Sequence, residues 1–111
     1  MSGQEIYLEL QDRVALLDKA LGALGNRGRA AAQADHDYRV ALGQKILMER
    51  DKGTPATIMS DVCRGDREIA KLRLERDIAD VVYKSAMEAI NCYKLQIKVL
   101  ENQIDREWRN A

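Results

Sequence analysis

The sequence predicts an all-α chain: a long antiparallel helical hairpin of coiled-coil type with a short helix in its turn. Three observations predict it. Apolar residues recur in alternating steps of three and four through the last forty residues, a second such series fills the first half, and a compact cluster of helix stops and starts lies between them. Alternating steps of three and four keep one face of a helix against a partner helix along its length. Composition agrees. In 111 residues, 46% are hydrophobic and 32% charged, with one Pro, no Phe and one Trp. That profile suits long helices in a single domain, residues 1–111.

The first helix is expected over about residues 4–51. Its seam reads Leu10, Val14, Leu17, Leu21, Leu24, Gly28, Ala31, Asp35, Tyr38, Leu42. The phase runs through Gly22, Gly25 and Gly28, which favours one continuous helix over a break at Gly25-Asn26. Each helix-interior Gly costs about 1 kcal/mol against Ala, and the expected compensation is close approach of the partner helix at Gly28 and Ala31.

The turn, about residues 53–65, reads GTPATIMSDVCRG. Gly53 is a helix stop. Thr54-Pro55 reads as an N-cap followed by Pro at the first helical position. Ile58, Met59, Val62 and Cys63 form one apolar face of the short helix, closing the hairpin end like a lid. Gly65 ends that helix and Asp66 caps the next.

The last helix is expected over about residues 66–109. Its seam is Ile69, Leu72, Arg76, Ala79, Tyr83, Ala86, Ile90, Tyr93, Ile97, Leu100, Ile104, Trp108, and the alternation holds until the final step. Folding the chain about residue 59 pairs Tyr93 with Gly25, where small residues leave room for it, and pairs Tyr83 with Asp35 and Tyr38 with Asp80, so that two tyrosine hydroxyls satisfy polar interruptions of the seam. Each long helix has a second, weaker stripe: Leu16, Ala20, Ala23, Ala30, Ala34, Ala41 in the first, and Leu74, Ile78, Val81 or Val82, Leu95, Val99 in the other. A lone hairpin leaves these stripes wet, which predicts a homodimer in the form of a four-helix bundle. The alternative is that the second stripe is reserved for a different partner.

Charge and motifs point away from catalysis. There are 18 basic and 18 acidic residues, interleaved as on solvated helix faces. P-loop, GxGxxG, GxSxG and HExxH motifs are missing. The single histidine, His36, has no carboxylate or imidazole at helical spacing, so no metal or other cofactor is expected. No apolar run approaches a membrane span. The N-terminal segment lacks the pattern of a secretory signal, so a cytoplasmic location is expected, with Cys63 and Cys92 reduced.

Two groups of residues are candidate contacts. Arg50, Lys52, Arg64 and Arg67 cluster near the turn and suit a protein partner. Lys19, Arg27, Arg29, Lys84, Lys94 and Lys98 form a mid-rod basic belt: residues 19–34 contain no acid, and residues 81–100 only Glu88. Such a belt suits a nucleic-acid backbone, although a pI near 6.6 is low for that role.

Three phrases carry a resemblance: GTPATIMSDVCRGD (Gly53 to Asp66), AKLRLERDIADVVYKSAMEAI (Ala70 to Ile90) and KLQIKVLENQIDREW (Lys94 to Trp108). Together, the stretch from Tyr38 to Trp108 resembles small helical accessory proteins of phages and prophages of Gram-positive bacteria. The resemblance implies a non-enzymatic protein that binds and modulates or inhibits a host protein, such as a nuclease or defence complex. A role as a nucleic-acid-binding accessory of phage recombination is the alternative. A purely structural hairpin, like the secreted WXG proteins, fits in size. However, the turn has no Trp-x-Gly, and neither Tyr83 nor Tyr93 begins a Tyr-x-x-x-acid signal.

Overall fold

A computed structural model describes residues 2–110. Three helices follow in order: α1 (Gly3–Asp51), α2 (Ala56–Gly65) and α3 (Arg67–Arg109). The described residues include no strand. The chain groups into two compact units. Unit 1 comprises residues up to Gly25 and from Lys84 onward, and unit 2 is Asn26–Tyr83.

Helix ends follow local chemistry. Ser2 and Glu5 form a capping box: the Glu5 amide donates to Ser2 Oγ at 3.2 Å and the Ser2 nitrogen donates to Glu5 Oε2 at 3.2 Å. α1 then continues through Gly22, Gly25 and Gly28 without a break. It ends in a Schellman motif, where the Gly53 amide donates to the Arg50 carbonyl and the Thr54 amide to the Glu49 carbonyl, both at 3.0 Å. Gly53 has φ +82°, the left-handed conformation that this motif requires. Thr54 does not cap α2: Pro55 occupies the N-cap without a side-chain bond, and the Thr54 hydroxyl donates to Glu49 Oε2 at 2.6 Å. Asp66 caps α3, its Oδ2 accepting from the amides of Glu68 and Ile69 at 3.1 and 3.2 Å.

In unit 2, α1 lies antiparallel to α3 along Gly28, Ala31, Asp35, Tyr38 and Leu42, all buried or half-buried. The same spacing continues into Lys45 and Glu49, which are also covered. Tyr83 packs on Gly28, and Lys45 reaches Asp66. Level residues therefore have numbers totalling about 111, where a fold about residue 59 would give about 118. The difference is one heptad. Tyr83 meets Gly28 instead of Asp35, and the ring of Tyr38 carries the Arg76 guanidinium at 4.4 Å instead of facing Asp80. Asp35 pairs within its own helix, with Arg39 at 2.9 Å.

The offset also explains α2. With Lys45 level with Asp66, α1 runs six residues further to Asp51, roughly 9 Å. The ten residues of α2, about 15 Å long, carry the chain back to Asp66. Of the predicted inward face, Cys63 is buried and Met59 half-buried, whereas Ile58 and Val62 remain exposed.

In unit 1, the covered residues of α1 include Ile6, Leu10, Arg13, Leu17, Ala20 and Leu24. Val14 and Leu21, predicted in the seam, are 47% and 46% exposed, and their neighbours Arg13 and Ala20 take the inward positions. Arg13 manages this by laying its stem along the seam while its guanidinium reaches Asp12 at 3.0 Å and Glu9 at 3.8 Å. On α3, Ala86, Ile90, Tyr93, Ile97, Leu100 and Ile104 are covered as predicted. Trp108 is 78% exposed, because the step from Ile104 repeats a four and carries it off the seam. Leu10 shares one cleft with Glu101 and Ile104, and Arg13 shares another with Gln96 and Leu100. That register sets Tyr93 level with Leu17, not Gly25.

Candidate interaction surfaces

The most organised polar cluster lies at the turn end of unit 2. Glu49 is 7% exposed. It accepts the Thr54 hydroxyl and pairs with Lys45 at 3.1 Å and Lys52 at 3.6 Å. Lys45 also reaches Asp66 at 3.5 Å. The cluster ties the end of α1 to the connecting loop and to the cap of α3. The Thr54 hydroxyl, then Lys45, hold the Glu49 carboxyl below its ordinary range. The Ile69 amide, aided by Lys45, does the same for Asp66. Bonding to Glu49 raises Lys45. This is structural chemistry: every group is matched, and none is left facing a ligand. The signal for it was the continued three–four spacing after Leu42, hidden because positions 45 and 49 are charged.

The predicted turn-proximal contacts are all exposed. Arg50 and Lys52 sit at the overhanging end of α1, whereas Arg64 and Arg67 flank the start of α3. Arg67 is level with Gln44, roughly 9 Å along α1 from Arg50, so the four divide into two pairs. Lys52 is engaged by Glu49. Arg50, Arg64 and Arg67 join none of the ion pairs among the described residues.

The basic-belt residues fall in both units. Lys19, Lys84, Lys94 and Lys98 belong to unit 1, Arg27 and Arg29 to unit 2, and all are exposed. Arg29 donates to Asn26 Oδ1. In unit 2 the shifted register brings acids alongside this part of α1: Ala31 and Asp35 line one hollow with Arg76, Asp77 and Asp80. Arg76 bonds Asp77 at 2.9 Å, and that carboxylate holds its guanidinium firmly charged.

Many large apolar side chains are exposed. Among the described residues, the buried hydrophobic ones are Ile6, Tyr38, Cys63, Ile69, Ile90 and Leu100. The second stripe of α1 is largely half-covered by the hairpin itself, but that of α3 is not. Leu74, Ile78 and Val81 in unit 2 are 59%, 54% and 61% exposed, and Leu95 and Val99 in unit 1 are 64% and 48% exposed. Unit 1 also has an open cleft of about 830 Å³ lined by the apolar Tyr7, Leu10, Ile104 and Trp108 together with Gly3 and the acids Glu101, Asp105 and Glu107.

Among the described residues, no group of three or more His, Cys, Asp or Glu could hold a metal ion, and no helix is long and apolar enough to cross a membrane. His36 is exposed, with Nδ1 3.5 Å from Asp37 Oδ1. Compared with known families, curated proteins and solved structures, the chain matches none.

Proposed function

We propose that this is a non-catalytic, self-associating helical-hairpin protein that works by binding another protein. One observation carries the reading: exposed large hydrophobic residues far outnumber buried ones, with Leu47, Leu74, Val81, Leu95 and Trp108 each at least 59% exposed. Scattered apolar residues on a surface need no explanation, but extended apolar stripes mark interaction sites. The phage-like phrases suggest the setting. The partner is a host protein, a nuclease or defence complex, met in the host cytoplasm; Arg50, Arg64 and Arg67 supply exposed cations outside the ion pairs, and Ile58 and Val62 supply exposed apolar surface on α2. A second reading is contact with nucleic acid through Lys94 and Lys98, which are one helical turn apart, exposed and outside the ion pairs. Capture with the tagged full chain from host lysate, with and without nuclease treatment, separates the two. A stoichiometric host protein that survives nuclease treatment supports the first reading. Partners lost on nuclease treatment, with binding that weakens in salt and in Lys94→Ala and Lys98→Ala, overturn it in favour of the second.

A further inference from the structure

Unit 1 has two flanks where α1 meets α3, and they differ. On one, Glu9 and Arg13 share hollows with Gln96 and Val99. On the other, Tyr7 shares the large cleft with Glu101 and Trp108. A helix packed in heptads returns to the same flank every seven residues. The Tyr7 flank therefore continues along α1 as Val14 and Leu21, and along α3 backwards from Trp108 and Glu101 as Lys94 and Met87. These apolar members are exposed: Tyr7 52%, Val14 47%, Leu21 46%, Met87 36% and Trp108 78%.

The two rows on this flank are symmetric in chemistry. On α3 the order is Met87, Lys94, Glu101, Trp108: apolar, cation, anion, apolar. Turned end for end about a point between Ile97 and Lys98, Lys94 meets Glu101 of a second copy and Met87 meets Trp108. On α1 the order is Tyr7, Val14, Leu21. Turned about Val14, Tyr7 meets Leu21 of the copy and Val14 meets itself. Val14 is level with Ile97 in the register of unit 1, so one two-fold axis serves both helices. That is the requirement of an isologous interface, in which each patch is its own partner.

We propose that the occupant of this flank is a second copy of the chain, docked on unit 1 by this two-fold axis through Val14, with α1 antiparallel to α1 and α3 antiparallel to α3. The inference rests on the self-association reading and names its surface. Unit 1 spans about 34 Å of α1, and two helices present about 20 Å of width. The face is thus roughly 700 Å² per copy, close to the roughly 800 Å² per partner of a standard stable interface. Lys98 lies beside the axis, near its own symmetry mate and the copy's Glu101. Lys94 is used inside the interface, which removes it from the basic belt and leaves the outer stripe of α3, Leu95 and Val99, for a different partner.

The test uses the full chain with Cys92→Ser, since Cys63 is buried and Cys92 exposed. Val14→Cys is expected to form a disulfide-linked dimer on mild oxidation, and Leu95→Cys is not. Lys94→Glu alone and Glu101→Lys alone are each expected to weaken the dimer by tenfold or more, and the double charge swap to restore it; both sites are exposed, so helicity by circular dichroism stays unchanged. A dimer that ignores the charge swaps, or that links through Leu95→Cys instead, overturns this interface while leaving self-association standing. A chain that stays monomeric in every arm overturns both.

Discussion

Gly28 and Tyr83 meet so closely that a Cβ at residue 28 would lie 3.1 Å from Tyr83 Cε1 and 3.4 Å from Cζ. The contact fixes the level of α1 against α3 in unit 2, and it explains why a glycine is kept inside a long helix. Gly22 has nothing within 4 Å of its would-be Cβ. Gly22→Ala is therefore expected to stabilise the chain by about 0.5–1 kcal/mol through helix propensity. Gly28→Ala forfeits that gain against the ring and recovers it in a Tyr83→Ala background. Urea unfolding of the four variants checks this; equal gains for Gly22→Ala and Gly28→Ala would remove Tyr83 from the explanation.

The cluster around Glu49 predicts a pH dependence. Glu49 and Asp66 have folded values below their ordinary range. Their contribution is present above the unfolded carboxylate values, near pH 4, and is lost as pH falls through the folded ones. Lys45 is raised, so its contribution is full below the ordinary lysine range and is lost only as pH rises through its folded value. Stability that stays level from mildly acidic to mildly alkaline pH and drops in acid is the expected profile. Glu49→Gln should flatten the acid limb, as read from melting temperature against pH.

Gly53 tests the end of α1. At φ +82° an L-residue is strained, and Gly53→Ala is expected to cost about 1–2 kcal/mol. Its open surroundings mean the loss comes from the backbone and not from a clash. Gly53→Asn, better tolerated in this conformation, should cost less, and chemical denaturation of the two variants ranks them.

Tyr38 and Arg76 form the seam's polar crossing. Tyr38 is 5% exposed beneath a guanidinium 4.4 Å from its ring centre. Tyr38→Ala should cost about 3–5 kcal/mol as a core aromatic truncation, whereas Tyr38→Phe keeps the ring and should cost little. A double-mutant cycle between Tyr38→Leu and Arg76→Met is expected to show about 0.5–1 kcal/mol of coupling. A coupling near zero would mean that Arg76 only solvates the helix face.

Much of the fold could be read from spacing alone, and the places where spacing misled share a physical cause. Every α3 seam position from Ile69 to Ile104 is covered, because three–four spacing reports which face packs. It does not report which level packs, since a shift of seven residues leaves every face unchanged. Spacing therefore puts Tyr83 level with Asp35, one heptad from Gly28. In unit 1, Arg13 and Ala20 take half-buried positions, each one residue before the more apolar but exposed Val14 and Leu21, so apolarity alone marks the wrong neighbour. Lys45 and Glu49 do not stand out in the sequence, because charged residues in a seam are buried only when paired, and pairing depends on Asp66 and Thr54 from other segments. The candidate surfaces were legible as charges and stripes. Their partners were not, because an interaction surface is completed by a molecule outside the chain.

The exposed apolar faces are expected to be covered by association. Sedimentation equilibrium of the purified full chain over a wide range of concentration tests it most directly. The expected mass is twice that of the 12.6 kDa chain, falling toward the monomer on dilution and in Glu101→Lys. A single 12.6 kDa species at every concentration would contradict it.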